Sequence, residues 1–249
     1  MFNTAHIIYI VVGFFINILG LVLAGIFVKN QKWKDFLLIF FAVVTVAIHF
    51  SGAYVSYFTT GVIEVDAPMI LPIYPCNVAM WTLLICSRMK NKESEIFKIL
   101  AEFTFYLGLL GGVVGIVFNE IYANNPTLAQ WDILKGLLSH SIMIFGCGYL
   151  LVGKYIKINI HNVLSVTIGL IFLLIDGCFI ISLYKIFGKN PPNAMFLLEI
   201  PFTNIKWLNT FTIGIIGIIL VLIVVTIVET FTIPKEERWY KKIKFRGNK

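Results

Sequence analysis

Charge is what this chain has least of. Only 13 % of its 249 residues are Asp, Glu, Lys or Arg, while 59 % are hydrophobic; an average soluble domain is about one quarter charged and about half apolar. That shortage excludes a water-soluble globular domain. Cysteine is sparse as well. Cys76, Cys86, Cys147 and Cys178 all fall inside apolar stretches without CxxC spacing, so neither a disulfide framework nor a zinc site is indicated. Basic residues outnumber acidic ones for a net charge of +7, but they collect in short connections and the tail. That pattern belongs to membrane topology rather than to nucleic-acid binding.

The apolar residues come in seven blocks: His6 to Val28, Phe36 to Phe58, Met69 to Ser87, Phe97 to Asn119, Ile133 to Val152, Asn162 to Phe187, and Leu208 to Phe231. At ~1.5 Å rise per residue, about 20 residues of helix cross a hydrocarbon core of about 30 Å. Lipid offers no partner to backbone N–H and C=O groups, so each block is expected to be helical. The fold class is therefore all-α, a polytopic bundle of seven transmembrane helices over residues 1–234 with a basic tail at 235–249. The first block has no basic n-region and no small-residue cleavage site, and reads as a permanent span.

The connections alternate in charge. Lys29, Lys32 and Lys34 follow the first block, Arg88, Lys90, Lys92 and Lys98 the third, Lys154 and Lys157 the fifth, and seven cations from Lys235 to Lys249 the last. The second connection has no cation and carries Glu64 and Asp66; that from Glu120 to Asp132 has none either. An outside N-terminus and a cytoplasmic tail follow from this bias. The sixth connection, with Lys185, Lys189 and Lys206, departs from it. The tail's cations, with Trp239, Tyr240 and Phe245, suit the surface of anionic lipid. Richness in Ile, Phe, Lys and Asn suggests an AT-rich bacterial genome, and hence a bacterial plasma membrane.

Ionisable side chains inside spans cost a few kcal/mol on insertion scales, which makes them functional candidates. His49, Glu102, His140 and Asp176 stand out, with the polar Asn17, Tyr74 and Asn77 beside the thiols. Converting position to depth, Cys76 and His140 both lie ~10 Å below the outer surface and His49 ~14 Å below it. Asp176 lies ~16 Å from the outer end of its span. A thiol and two imidazoles thus share the outer half of the bundle. Cys76 follows Leu71-Pro72-Ile73-Tyr74-Pro75. Each proline lacks an N–H and clashes with the carbonyl four residues back, so the helix is expected to open there. An opened backbone in a membrane must line a cavity or pack on protein, and a histidine within reach could make the thiol a nucleophile. Cys86, Cys147 and Cys178 read as small hydrophobes. Gly108, Gly111, Gly112 and Gly115 repeat at three- and four-residue spacing and read as a close-packing helix face.

The run Leu71-Pro72-Ile73-Tyr74-Pro75-Cys76-Asn77-Val78-Ala79-Met80-Trp81, the pair Ser139-His140, and Asn193-Ala194-Met195-Phe196-Leu197 with Pro201 downstream resemble motifs of a family. These are the YwaF-like bacterial integral membrane proteins, related to the vertebrate transmembrane protein 164. Tyr74 stands where bacterial members often carry His, Ala194 replaces an aromatic residue, and no Lys precedes Pro201. The resemblance implies a cysteine-dependent phospholipid acyltransferase, with Cys76 as nucleophile and His140 as its base. Asn193, or an amide of the opened helix, would support the oxyanion, with His49, Tyr74, Asn77 and Asp176 around the site. Membrane phospholipids are the expected substrates, and no metal or organic cofactor is required. The competing expectation is a seven-helix transporter or sensor with His49, His140 and Asp176 along an intramembrane polar path.

Overall fold

A computed structural model describes residues 3–63, 67–118, 127–200, 205 and 207–242. Glu64, Asp66, Pro201, Lys206 and the end of the tail from residue 243 lie outside the described residues. The helices are α1 (Thr4–Phe27), α2 (Gln31–Thr60), α3 (Ala67–Ile70), α4 (Pro75–Arg88), α5 (Glu95–Val117), α6 (Trp131–Val152), α7 (His161–Ile186), α8 (Thr210–Thr232) and α9 (Trp239–Lys242). A 3₁₀ turn spans Ala194–Phe196, and there is no strand among the described residues.

Six of these helices, α1, α2, α5, α6, α7 and α8, are long and apolar enough to cross a membrane. The third block is the exception. It divides into α3, a non-helical stretch at 71–74, and the 14-residue α4, whose ~21 Å falls short of a hydrocarbon core of about 30 Å. The prolines account for the break. The N–H of Ile73 donates to the carbonyl of Leu71 across Pro72 (2.8 Å), a three-residue turn suited to a proline at its centre. Tyr74, held extended (φ −114°, ψ 154°) as a residue before proline must be, then starts α4 with Pro75 in its first turn.

Side-chain caps set the helix ends. Asn3, Asn30, Ser94 and Asn209 each accept from a backbone N–H in the first turn of α1, α2, α5 and α8, each cap worth about 1 kcal/mol. Helix α2 stops at Gly61, whose φ of 76° is the left-handed conformation that glycine adopts without penalty.

Helix α6 is the centre of the bundle, packed on α1, α2, α4 and α5, while α4 lies between α2 and α5. Leu38, Ala79, Leu83, Phe97, Phe105, Cys147 and Tyr149 form the core there. Helix α7 joins α5 to α8, and Ser165 of α7 donates to the buried Glu102 of α5 (2.6 Å). Outward faces carry exposed Phe15, Phe27, Phe58, Phe179 and Phe231, the surface expected against lipid. The described part of the tail folds back on α8. Trp239 donates its backbone N–H to the buried Glu229 (2.9 Å) and its indole N–H to Thr226 (3.2 Å), while Arg238 donates to the carbonyl of Thr230 (2.7 Å) at the negative end of the helix. Trp239 and Tyr240 thus also bond to α8.

Candidate active site

The opened segment places Cys76 second in α4, within the first turn, where backbone N–H groups have no intrahelical acceptor. Pro75 has none to offer. Asn77 caps the turn by accepting from the N–H of Tyr74 (3.1 Å). This end of α4 lies against α5, where Gly111 brings the helices together: a Cβ there would sit 3.8 Å from the Cα and Cβ of Cys76. One helical turn further along α5, a Cβ on Gly115 would overlap the imidazole of His140. Gly112 and Gly108 admit Ile144 and Cys147 of α6 in the same way. The glycine face is thus a packing face, and it seats the backbone of Cys76 and the imidazole of His140 one turn apart.

His140 has a defined tautomer. Its Nδ1 lies 2.7 Å from the carbonyl oxygen of Gly136; a carbonyl only accepts, so Nδ1 carries the proton and Nε2 keeps the lone pair. The hydroxyl of Ser139 donates to the same carbonyl (2.9 Å). His49, on α2, donates from Nε2 to the carbonyl of Met69 (3.2 Å) and so ties α2 to α3.

Cys76, His140, His49, Tyr74 and Asn77 line one cavity of about 250 Å³. Asp176 and Asn193 do not. Asp176 belongs to α7, and its half-buried carboxylate leaves Oδ2 without a hydrogen-bond partner among the described residues. Asn193 organises a loop: its Oδ1 accepts from the N–H groups of Leu198 and Glu199 (both 3.0 Å) and its Nδ2 donates to the carbonyl of Glu199 (2.9 Å). Both oxygen and nitrogen are spent on that loop. The motif it begins serves the site through the backbone. The N–H of Met195 donates to the carbonyl of Ile73 (2.8 Å), satisfying a group that the broken helix leaves open. Met195 and Phe196 hold positive φ values of 50° and 57°, and the Thr210 hydroxyl donates to both of their carbonyls (2.9 and 2.7 Å).

Sequence reasoning missed Lys135 and Asp132, which also line the cavity. The available signal was a lysine inside the fifth apolar block, three residues from an acid and five from His140. It also missed His6, fully buried and bonded through Nε2 to the carbonyl of Ile116 (2.9 Å). Among the described residues no three His, Cys, Asp or Glu side chains group as a metal site.

The model of the TMEM164 family matches residues 1–230. The search of curated proteins and the search of solved structures each returned no match.

Proposed function

The chain belongs to the TMEM164 family, and from that premise we propose that this multi-pass membrane protein is an acyltransferase moving a fatty acyl group between phospholipids through a thioester on Cys76. The observation that carries the reading is the shared cavity, lined by a cysteine at the head of a helix and by an imidazole whose Nε2 is a proton acceptor. A helix head favours negative charge on the sulfur.

In the first half-reaction Nε2 of His140 takes the thiol proton and the sulfur attacks the ester carbonyl of a phospholipid. The oxyanion is received by the backbone N–H of Cys76, then the C–O bond breaks and the imidazolium returns its proton to the departing lysophospholipid. The second half runs in reverse with a new alcohol. Its hydroxyl proton goes to Nε2, its oxygen attacks the thioester, and Cys76 leaves as a thiol. No step requires a metal or organic cofactor. A cavity of about 250 Å³ is at the small end for a ligand site; it suits the ester and glycerol of a lipid whose tails stay in the bilayer. With the loop charges setting an outside N-terminus, this chemistry belongs to the outer leaflet of a bacterial plasma membrane.

The test is acyl transfer between fluorescent phospholipids by the purified protein. Cys76→Ala and His140→Ala are expected to abolish transfer, and wild-type rates in both would refute the mechanism. The transporter or sensor reading lacks a comparable observation, because Asp176 lies away from the cavity that holds the two histidines.

A further inference from the structure

Lys135 stands near the start of α6 and lines the same cavity as Cys76 and His140. Its side chain is only 20 % exposed. The ammonium reaches across to α2, where Gly52 leaves room for it: a Cβ on Gly52 would overlap Nζ. Its hydrogen-bonded ion-pair partner is Asp132, 3.2 Å away on the same helix and 75 % exposed. A pair of helix neighbours with one member in solvent holds its cation weakly. The covered ammonium is therefore available to a better anion within the cavity.

The level of this lysine identifies that anion. Beside Gly52, the indole N–H of Trp131 donates to the hydroxyl of Ser51 (3.0 Å) and joins the first turn of α6 to α2; tryptophans at the end of a membrane helix favour the headgroup layer. His140 lies five residues along α6, ~7.5 Å further from that end. Along the helix axis the two residues are offset by about the reach of the glycerol bridge that joins phosphate to ester in a glycerophospholipid. Resting on the acyl-transfer reading, we infer that Lys135 receives the phosphodiester of a glycerophospholipid whose ester enters the Cys76–His140 cavity, with Asp132 holding the ammonium when no phosphate is present. An ammonium has three donors to share among phosphate oxygens. Neutral glycerides lack that group, so the site selects phospholipids over diacylglycerol.

The experiment measures equilibrium binding, without turnover, on the full-length Cys76→Ala protein in uncharged detergent. The probes are a fluorescent phosphatidylglycerol and a diacylglycerol with the same acyl chains. The phospholipid is expected to bind about tenfold more tightly, the difference made by one charge-assisted contact. Adding Lys135→Gln removes the preference, Lys135→Arg retains most of it, and Asp132→Asn increases it. A preference that survives Lys135→Gln overturns the proposal, and so does displacement of the lipid by inorganic phosphate at the lipid's own concentration, which would mark a free-anion site. The Arg variant guards against misfolding as the cause of loss. Phospholipid selection through Lys135 in a wild-type protein that transfers no acyl groups would refute the acyl-transfer reading alone. Acyl transfer indifferent to Lys135 would refute this inference alone.

Discussion

Two glycines one turn apart on α5 should respond in opposite ways to the same added methyl group. At Gly111 a Cβ meets the Cα and Cβ of Cys76 at 3.8 Å, ordinary contact, and alanine is the better helix former by about 0.5–1 kcal/mol. Gly111→Ala is therefore expected to be neutral or slightly stabilising and to leave acyl transfer unchanged. At Gly115 the same Cβ overlaps Cδ2, Nε2 and Cγ of His140. The ring must swing, breaking the bond from Nδ1 to Gly136 that sets its tautomer. Overpacking costs about 1–3 kcal/mol, which the helix gain partly offsets, so net destabilisation is about 0–2.5 kcal/mol. The larger effect is on rate, because a displaced general base forfeits about 10²–10⁴-fold. Thermal unfolding and fluorescent acyl transfer, measured in one detergent, separate the two effects. Equal behaviour of the two variants, or a wild-type rate in Gly115→Ala, would refute the seating of the imidazole on this glycine.

Asn193→Ala deletes three hydrogen bonds that close the loop to Glu199; at about 0.5–1 kcal/mol each for a solvent-facing loop, a loss of about 1.5–3 kcal/mol and faster amide exchange at Leu198 and Glu199 are expected. Loss of acyl transfer to the level of Cys76→Ala with those amides still protected would instead put Asn193 in the chemistry. Lys92, in the connection after α4, donates to the carbonyls of Cys86 and Ser87, and burial pushes its pKa down, with Asp35 opposing the shift. Between that lowered value and the ordinary 10.5, the unfolded chain binds a proton that the folded chain does not. The stability contributed by this group therefore rises with pH through that window. Thermal scans up to about pH 10 should show Lys92→Gln losing this rise relative to wild type, and parallel profiles would contradict it.

The membrane helices were legible because lipid removes the alternatives: a run such as Phe97 to Asn119 has to be helical, and α5 spans Glu95–Val117. The break before Cys76 was legible too, since Pro72 and Pro75 act on their own carbonyl neighbours. What closes the break was not, because the N–H that answers Ile73 comes from Met195, brought there only by the folded chain. Counting residues gave depth for Cys76, His140 and His49, which share a cavity, and for Asp176, which does not. Depth follows from rise per residue, while the direction a side chain takes around its helix follows from what the helix packs against. Lys135 escaped notice because a lysine close to Asp132 at the start of a block resembles the edge of a loop. Its burial depends on Gly52, on a different helix.

The bond from Met195 to Ile73 also sets an order of assembly. Cys76 is synthesised early, yet the carbonyl beside it finds its acceptor role filled only when the stretch before α8 has emerged, and Thr210 must follow to hold that stretch in its left-handed turn. A nascent or truncated chain ending before the 3₁₀ turn carries both thiol and imidazole but leaves this joint unsealed. The joint that closes the break before Cys76 is thus completed last, by the C-terminal quarter of the chain.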